Sequence, residues 1–234
     1  MKAMKVISIK KERILIFIYL LIIAIGLAHS FNNEAITTFT MPVNKKVIVI
    51  DAGHGGWDPG KVGEGNVLEK EINLQIAKKL QAYLEQGGSY VLMTRIEDEA
   101  LSTKKTWDMN LRKGLANTNN ADLFISIHQN SFPSSNVKGA QVFYYNQSDK
   151  SKDLAVSIQK ELKDFVDYSN KLEAKSNENY YVLKQTKMPA VIVECGFLTN
   201  PRQRMNLINE DYQDRIAWAI YMGIVKYFDT ESQS

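Results

Sequence analysis

The chain has 234 residues, 44% hydrophobic and 24% charged, which is ordinary globular composition and long enough for one sizeable core. Its net charge of +3 is too small to argue for a nucleic-acid partner, and its single cysteine, Cys195, excludes an intramolecular disulfide or a multi-cysteine zinc site. The histidines are His29, His54 and His128, and no HExxH, phosphate-binding GxxxxGK[ST] or GxSxG pattern occurs.

Lys2, Lys5, Lys10, Lys11 and Arg13 precede an uninterrupted apolar run from Ile14 to Ala28. A basic region followed by an apolar one is the pattern of an export signal, and its charge bias keeps the N-terminus in the cytoplasm. As a helix the run spans only about 22 Å, short of the roughly 30 Å hydrocarbon core. Residues 1–30 are therefore expected to be a cleaved signal peptide or an uncleaved signal anchor. Either way the folded body lies outside the membrane, and in the second case it is tethered there. Residues 31–44 are polar and read as a linker, and residues 45–230 as the folded body.

Val47 to Ile50 reads as a strand buried on both faces, ending at Asp51 in a turn with Gly53, Gly55 and Gly56 around His54. Apolar residues at helical spacing predict a helix over Leu68–Gln86, stopped by Gly87-Gly88. A strand follows over Tyr90–Thr94, a helix over Lys105–Asn117 and a strand over Leu123–His128. Next come a strand over Ala140–Tyr145, a helix over Ser151–Phe165, and strands over Tyr180–Leu183 and Val191–Glu194. A helix over Asp211–Phe228, with Gly223 facing inward, closes the chain. This alternation predicts a single α/β domain with a roughly six-stranded, mainly parallel sheet and helices on both faces.

Three of these strands end in a polar group followed at once by turn-forming residues: His54, His128 and Glu194. Charge is costly to bury without a partner, and parallel strands place such ends along one rim, where ligands collect. A single histidine at a strand end is commonly satisfied by backbone; three polar ends in one sheet call for another reason. On the helical projection Glu69 falls in the middle of the buried arc, whereas Glu71 faces solvent. Two histidines and one carboxylate with an open fourth position compose a catalytic zinc site, and a second carboxylate beside it supplies a general base.

The segments D-A-G-H-G-G, L-E-K-E-I-N-L, M-T-R with Asp98, I-S-I-H-Q-N-S and P-A-V-I-V-E-C-G-F-L-T-N-P resemble the zinc-dependent N-acetylmuramoyl-L-alanine amidases of the amidase-3 type. The resemblance runs in order from about Lys46 to Phe228. It implies one zinc ion held by His54, Glu69 and His128, with Glu194 as the catalytic glutamate. Gln129 and Arg202-Gln203 depart from common family residues without touching those four positions. The interval from His128 to Glu194 has no room for the blocking helix of division-type members. The single-domain layout and the V-E-C-G-F cysteine resemble the sporulation- and germination-associated CwlD type.

That resemblance implies hydrolysis of the amide joining N-acetylmuramic acid to L-alanine in peptidoglycan, in the forespore cortex space, opening the route to muramic-δ-lactam. It also admits an accessory activating protein. The alternatives are a zinc peptidase cutting the stem peptide and an inactive wall-binding scaffold. A scaffold would be expected to lack one of the four site residues, and none is missing. Cys195 reads as core. Arg95 reads either as a receiver of a peptide carboxylate or as half of a surface ion pair. No other substrate-binding residue is legible.

Overall fold

In the computed structural model the backbone is described for residues 10–32 and 40–233, and side chains for residues 10–25 and 40–233. The chain divides into two units, residues 1–40 and 41–234. The first contains α1 (Lys11–Asn32), whose apolar side chains from Ile14 to Ile25 are exposed. Among the described residues no helix is long and apolar enough to cross a membrane. The basic residues Lys2 and Lys5, and residues 33–39 of the expected linker, lie outside the described residues. The body begins at Met41, ahead of the expected start at Lys45, because Val43 is already fully buried in the core.

In chain order the body comprises β1 (Val47–Ala52), β2 (Val62–Gly63), β3 (Val67–Leu68), α2 (Glu69–Gln86), β4 (Tyr90–Met93), α3 (Lys105–Thr118) and β5 (Leu123–Asn130). These are followed by β6 (Gln141–Tyr144), α4 (Asp149–Phe165), β7 (Lys175–Ser176), α5 (Tyr181–Gln185), β8 (Ala190–Phe197), α6 (Pro201–Leu207) and α7 (Glu210–Gln233). The six-stranded sheet has the order β4-β1-β5-β8-β6-β7, and only the β6–β8 pair is antiparallel. The expected mainly parallel six-stranded sheet is present.

Strand alternation divides the core into two layers. Ile48, Ile50, Leu123, Ile125, Val191 and Val193 face a layer covered by α2, α4 and α7. Val49, Phe124 and Ile192 face the opposite layer, which Ala116 of α3 and Leu183 of α5 help to fill. The long helices each commit a 3.6-period apolar face to this work; on α2 it is Ile72, Ile76, Leu80 and Leu84.

One predicted strand is a helix. Tyr180–Leu183 forms the N-cap and first turn of α5, with Lys184 N donating to the Tyr180 carbonyl at 3.2 Å. Tyr-Tyr-Val-Leu has high β-propensity, yet Leu183 is its only fully buried side chain. The edge of β6 is taken instead by Lys175–Ser176, pairing with Phe143 and Tyr144. The short β2–β3 hairpin and α6, capped by the Asn200 side chain on Gln203 N, carry too little periodicity to be foreseen.

The contact between α4 and α7 depends on Gly223. A Cβ there would lie 2.6 Å from Ile158 Cα and 2.9 Å from Ile158 N, so backbone itself would have to move. Ser157 Oγ also donates to the Gly223 carbonyl across the same contact. Gly223→Ala is expected to destabilise the body by about 1–3 kcal/mol through overpacking, read as a lower urea midpoint with unchanged slope.

Candidate metal centre and the carboxylate beside it

β1 delivers His54 through a turn that only a pinned backbone can hold. His54 has φ 62°, a left-handed conformation uncommon for a non-glycine residue. Gly55 and Asp58 exchange backbone hydrogen bonds at 2.9 and 3.1 Å, closing the turn. The Asp58 carboxylate then reaches back to His54 Nδ1 at 2.9 Å. Burial by itself raises the Asp58 carboxyl, but its hydrogen bond and charge contact with His54 bring it below its ordinary value. An imidazole that gives its Nδ1 proton to a carboxylate presents Nε2 as a free donor atom.

Glu69 opens α2 on the other side of the sheet and leans over the strand ends. Its Oε1 lies 3.2 Å from His54 Nε2 and 3.0 Å from His128 Nδ1. Lys61 N donates to Oε2 at 2.7 Å and Gln129 N to Oε1 at 3.1 Å, which fixes the carboxylate plane. Burial tends to raise this carboxyl too, but hydrogen bonds and charge from His128 and His54 outweigh it and hold Glu69 well below the carboxylate range. Gly53 makes room for the cluster, since a Cβ there would meet the His128 ring at 2.3 Å.

The donor atoms of His54, Glu69 and His128 all lie within 4.8 Å of one another. Neighbouring donors of a tetrahedral zinc shell with bonds of about 2.0–2.1 Å sit about 3.3 Å apart, close to the two nitrogen–oxygen separations here. Two neutral imidazole nitrogens and one carboxylate oxygen suit zinc chemically. The residues fit the metal.

Glu194 is placed beside this cluster by register. It pairs directly with His128 across β5 and β8, one layer above Ser126 and Ile192. It is 7% exposed, and its Oε2 is buried without a hydrogen-bond partner among the described residues. Burial pushes its carboxyl up to about 7, with Glu69 adding to the rise and the two histidines opposing it. The Tyr180 phenol lies beside it and is itself pushed up to about 12 by burial and then by the Glu194 charge. Glu71 is exposed.

Two arginines that the sequence reading left unassigned or misread support the site from below. Neither expectation for Arg95 holds. It is 2% exposed and donates to the carbonyls of Ala52, Gly53, Lys70 and Glu97 at 2.7–3.1 Å, so its guanidinium is spent on backbone. Arg112 is buried between Asp108 and Asp51 and donates to the carbonyls of Ala52 and His54 at 2.9 and 2.8 Å. Lys70 bridges the Gly56 carbonyl and Asp98. Asp108, Arg112 and Ala116 recur every fourth residue, a spacing that also describes an ordinary solvated ion pair on a helix. Asp58 was visible only as a carboxylate four residues past His54, and Tyr180 lay within the misread strand. Cys195 is fully buried, its thiol raised by burial, as expected of core.

Arg112→Gln removes the charge facing two buried carboxylates and releases the His54 carbonyl. Leaving a buried charge unpaired typically costs about 3–5 kcal/mol. A loss of that size in chemical denaturation, larger than for Lys70→Gln at the half-exposed pair, is the expected result.

Residues 48–226 match the family model described as N-acetylmuramoyl-L-alanine amidase. The chain is 37% identical over 205 residues to the germination-specific N-acetylmuramoyl-L-alanine amidase of Bacillus subtilis, covering 84% of this chain and 86% of that one. Among solved structures it is similar to the CwlD amidase from Clostridioides difficile in complex with the GerS lipoprotein. The TM-score is 0.76 at 41% identity, covering 80% of this chain and 100% of that one. The amidase AmiC2 of Nostoc punctiforme gives a TM-score of 0.72 at 35% identity, covering 80% and 98%. The fold, the rim of polar strand ends and these matches agree: the chain belongs to the N-acetylmuramoyl-L-alanine amidases, which hydrolyse the muramoyl–L-alanine amide of peptidoglycan.

Proposed function

We propose that His54, Glu69 and His128 hold one zinc ion per chain and that Glu194 is the general base of amide hydrolysis. The observation that carries this reading is the convergence of three donors on one point, with a buried carboxylate of raised pKa one strand away. When bound, zinc supplies Lewis-acid polarisation of the scissile carbonyl and acidifies water.

The chain's own residues do the rest. Asp58 keeps His54 in the tautomer whose Nε2 faces the centre, and Lys61 N and Gln129 N keep Glu69 ionised and oriented. Glu194 takes the proton of the attacking water as the carbon–oxygen bond forms. It returns that proton to the L-alanine nitrogen as the carbon–nitrogen bond breaks, leaving a lactyl carboxylic acid, which gives its own proton to the solvent, and a free amine. Tyr180 stays a neutral phenol beside Glu194 and helps hold the carboxylate toward the centre.

The setting we propose is the spore cortex, with the product feeding muramic-δ-lactam formation. The germination-specific relative and the CwlD structure support this role. The CwlD complex with a lipoprotein also supports an accessory protein as partner. Peptidoglycan lies outside the cytoplasmic membrane, so we place the body there, with the N-terminal segment as its export signal.

Metal analysis of purified protein is expected to give one zinc per chain, lost in His54→Ala, Glu69→Ala and His128→Ala and retained in the solvent-facing control Glu71→Ala. Glu194→Gln should keep its zinc and lose about 10²–10⁴-fold in rate, read by mass spectrometry of stem peptide freed from cortex peptidoglycan. Unchanged metal content in all three ligand variants would refute the site. Near-normal cleavage by Glu194→Gln would leave the base elsewhere.

A further inference from the structure

Glu194 lines a cleft between α3 and α5. A separate cavity of about 390 Å³, the size of a small-ligand site, opens beside α4 and α7, which cover the opposite face of the sheet. Its walls are the loop before β6, the segment after α4, the helix α6 and the first turns of α7. Arg202 and Gln203, which depart from common family residues and play no part in the metal centre, both line it.

Lys138, Arg202 and Arg215 bring three cations to this lining, and Asp167 brings one carboxylate. The three cations are exposed, and none forms an ion pair among the described residues. Arg215 is nevertheless held in place. Its Nη2 donates to the Val166 carbonyl at 2.7 Å, and its guanidinium lies 5.6 Å over the centre of the Tyr212 ring. Asp167 Oδ1 accepts from Ser169 N at 2.9 Å and from Ser169 Oγ at 2.6 Å, which orients the carboxylate without neutralising it. Gln203 is only 6% exposed. Its Oε1 accepts from Gly139 N at 3.1 Å and Phe197 N at 3.0 Å, so the amide is pinned, and its Nε2 has no hydrogen-bond partner among the described residues. Grouped like charges repel, and a donor on a buried side chain is costly to leave without an acceptor. An anionic ligand relieves both.

We infer that this cavity is a wall-binding site apart from the catalytic centre, and that it takes a zwitterionic stem peptide. The peptide's carboxylates meet Arg202, Arg215 and Lys138, and the side-chain ammonium of its diamino acid meets Asp167. This rests on the amidase reading, which makes peptidoglycan, a polymer that repeats such a peptide along its glycan, the ligand within reach. Guanidinium groups suit planar carboxylates, which they grip with paired N–H donors. Asp167 then selects among anions. A phosphate polymer would meet it as a repulsion, whereas a peptide with two carboxylates and one ammonium matches the lining sign for sign. Holding a second stem of the same polymer strengthens attachment with no new contact at the centre.

The test uses the full-length protein carrying Glu194→Gln, so that binding is read without turnover. The probe is N-acetyl-L-alanyl-γ-D-glutamyl-L-lysine, which has two carboxylates and one ammonium, and its comparator is the same peptide acetylated on the lysine side chain. In calorimetry, Arg202→Gln with Arg215→Gln is expected to weaken the probe about five- to tenfold, the scale of two exposed ion pairs. Arg202→Gln alone should weaken it about two- to threefold, and that side chain makes no hydrogen bond or ion pair among the described residues whose loss could unsettle the fold. The acetylated peptide should bind less well than the probe, and Asp167→Asn should abolish that preference. A probe seated only at the catalytic centre would bind every cavity variant alike, and that result overturns the site. Inorganic phosphate displacing the probe, with no preference for the ammonium form, would make the cavity a general anion site and overturn the peptide assignment. Affinity lost in the arginine variants together with the ammonium preference supports the site whether or not wild-type protein cleaves. Cleavage by the wild type with unchanged binding in those variants leaves the amidase reading standing and removes this one.

Discussion

The site depends on a buried ion pair, Asp51 with Arg112. Burying two charges is costly, and such a pair is tolerated only when its remaining hydrogen-bonding positions are filled. Here they are. Asp51 accepts from Thr94 Oγ1 at 2.8 Å and from Ser126 Oγ at 2.6 Å as well as from Arg112. Those partners come from the segment after β4, from β5 and from α3, so a single carboxylate ties three elements to the end of β1. Its pKa is lowered although burial alone would raise it, because the guanidinium and the Ser126 hydroxyl prevail. The other side of Arg112 faces the carbonyls of Ala52 and His54, while Arg95 holds those of Ala52 and Gly53. Successive carbonyls at the strand end are thus fixed by rigid donors, and the left-handed His54 conformation is over-determined by what surrounds it.

The three clustered donors come from both layers of the domain. Asp51, Ser126, His128, Ile192 and Glu194 all line the cleft on the α3–α5 face of the sheet, as the period-2 alternation requires. Glu69 belongs to α2, which packs on the opposite face. It reaches the histidines because α2 starts beyond the carboxyl ends of the strands, after the β2–β3 hairpin has carried the chain across the rim. Glycines at 53 and 60 leave the space, since a Cβ at Gly60 would meet Glu69 Oε2 at 2.5 Å. The centre is therefore a junction between layers, and packing errors in either layer reach it.

Much of this was legible in sequence because burial of apolar strands leaves a periodic record. The runs V-I-V-I, L-F-I-S-I and A-V-I-V give the sheet, and the polar residue ending each gives the rim. Glu69 stood out because a carboxylate in the middle of an apolar arc contradicts its surroundings. The supports were not legible for the converse reason. Arg95 and Arg112 bind carbonyls, which carry no sequence signal, and Asp108 with Arg112 looks like any exposed pair until the helix is seen to face inward. Tyr180–Leu183 was misread since a short apolar run does not distinguish a strand from one helical turn. Only the occupied sheet edge decides that.

Two glutamates in one site end with opposite tendencies, and the difference lies in their partners. Glu69 and Glu194 are both buried, which raises either carboxyl. Glu69 faces two imidazoles at hydrogen-bond distance and two backbone N–H donors, so its ionised form is held and it behaves as a fixed anion. Glu194 shares the neighbourhood without a hydrogen bond to either ring, and it feels Glu69 as a like charge. A carboxylate poised near neutrality can both take and return a proton; one held far below cannot. Exchanging the two side chains' partners would exchange their roles. Position in the sheet, set by the pairing of His128 with Glu194 and by the reach of α2, is what gives one glutamate two imidazole partners and leaves the other without them, the difference on which the proposed roles rest.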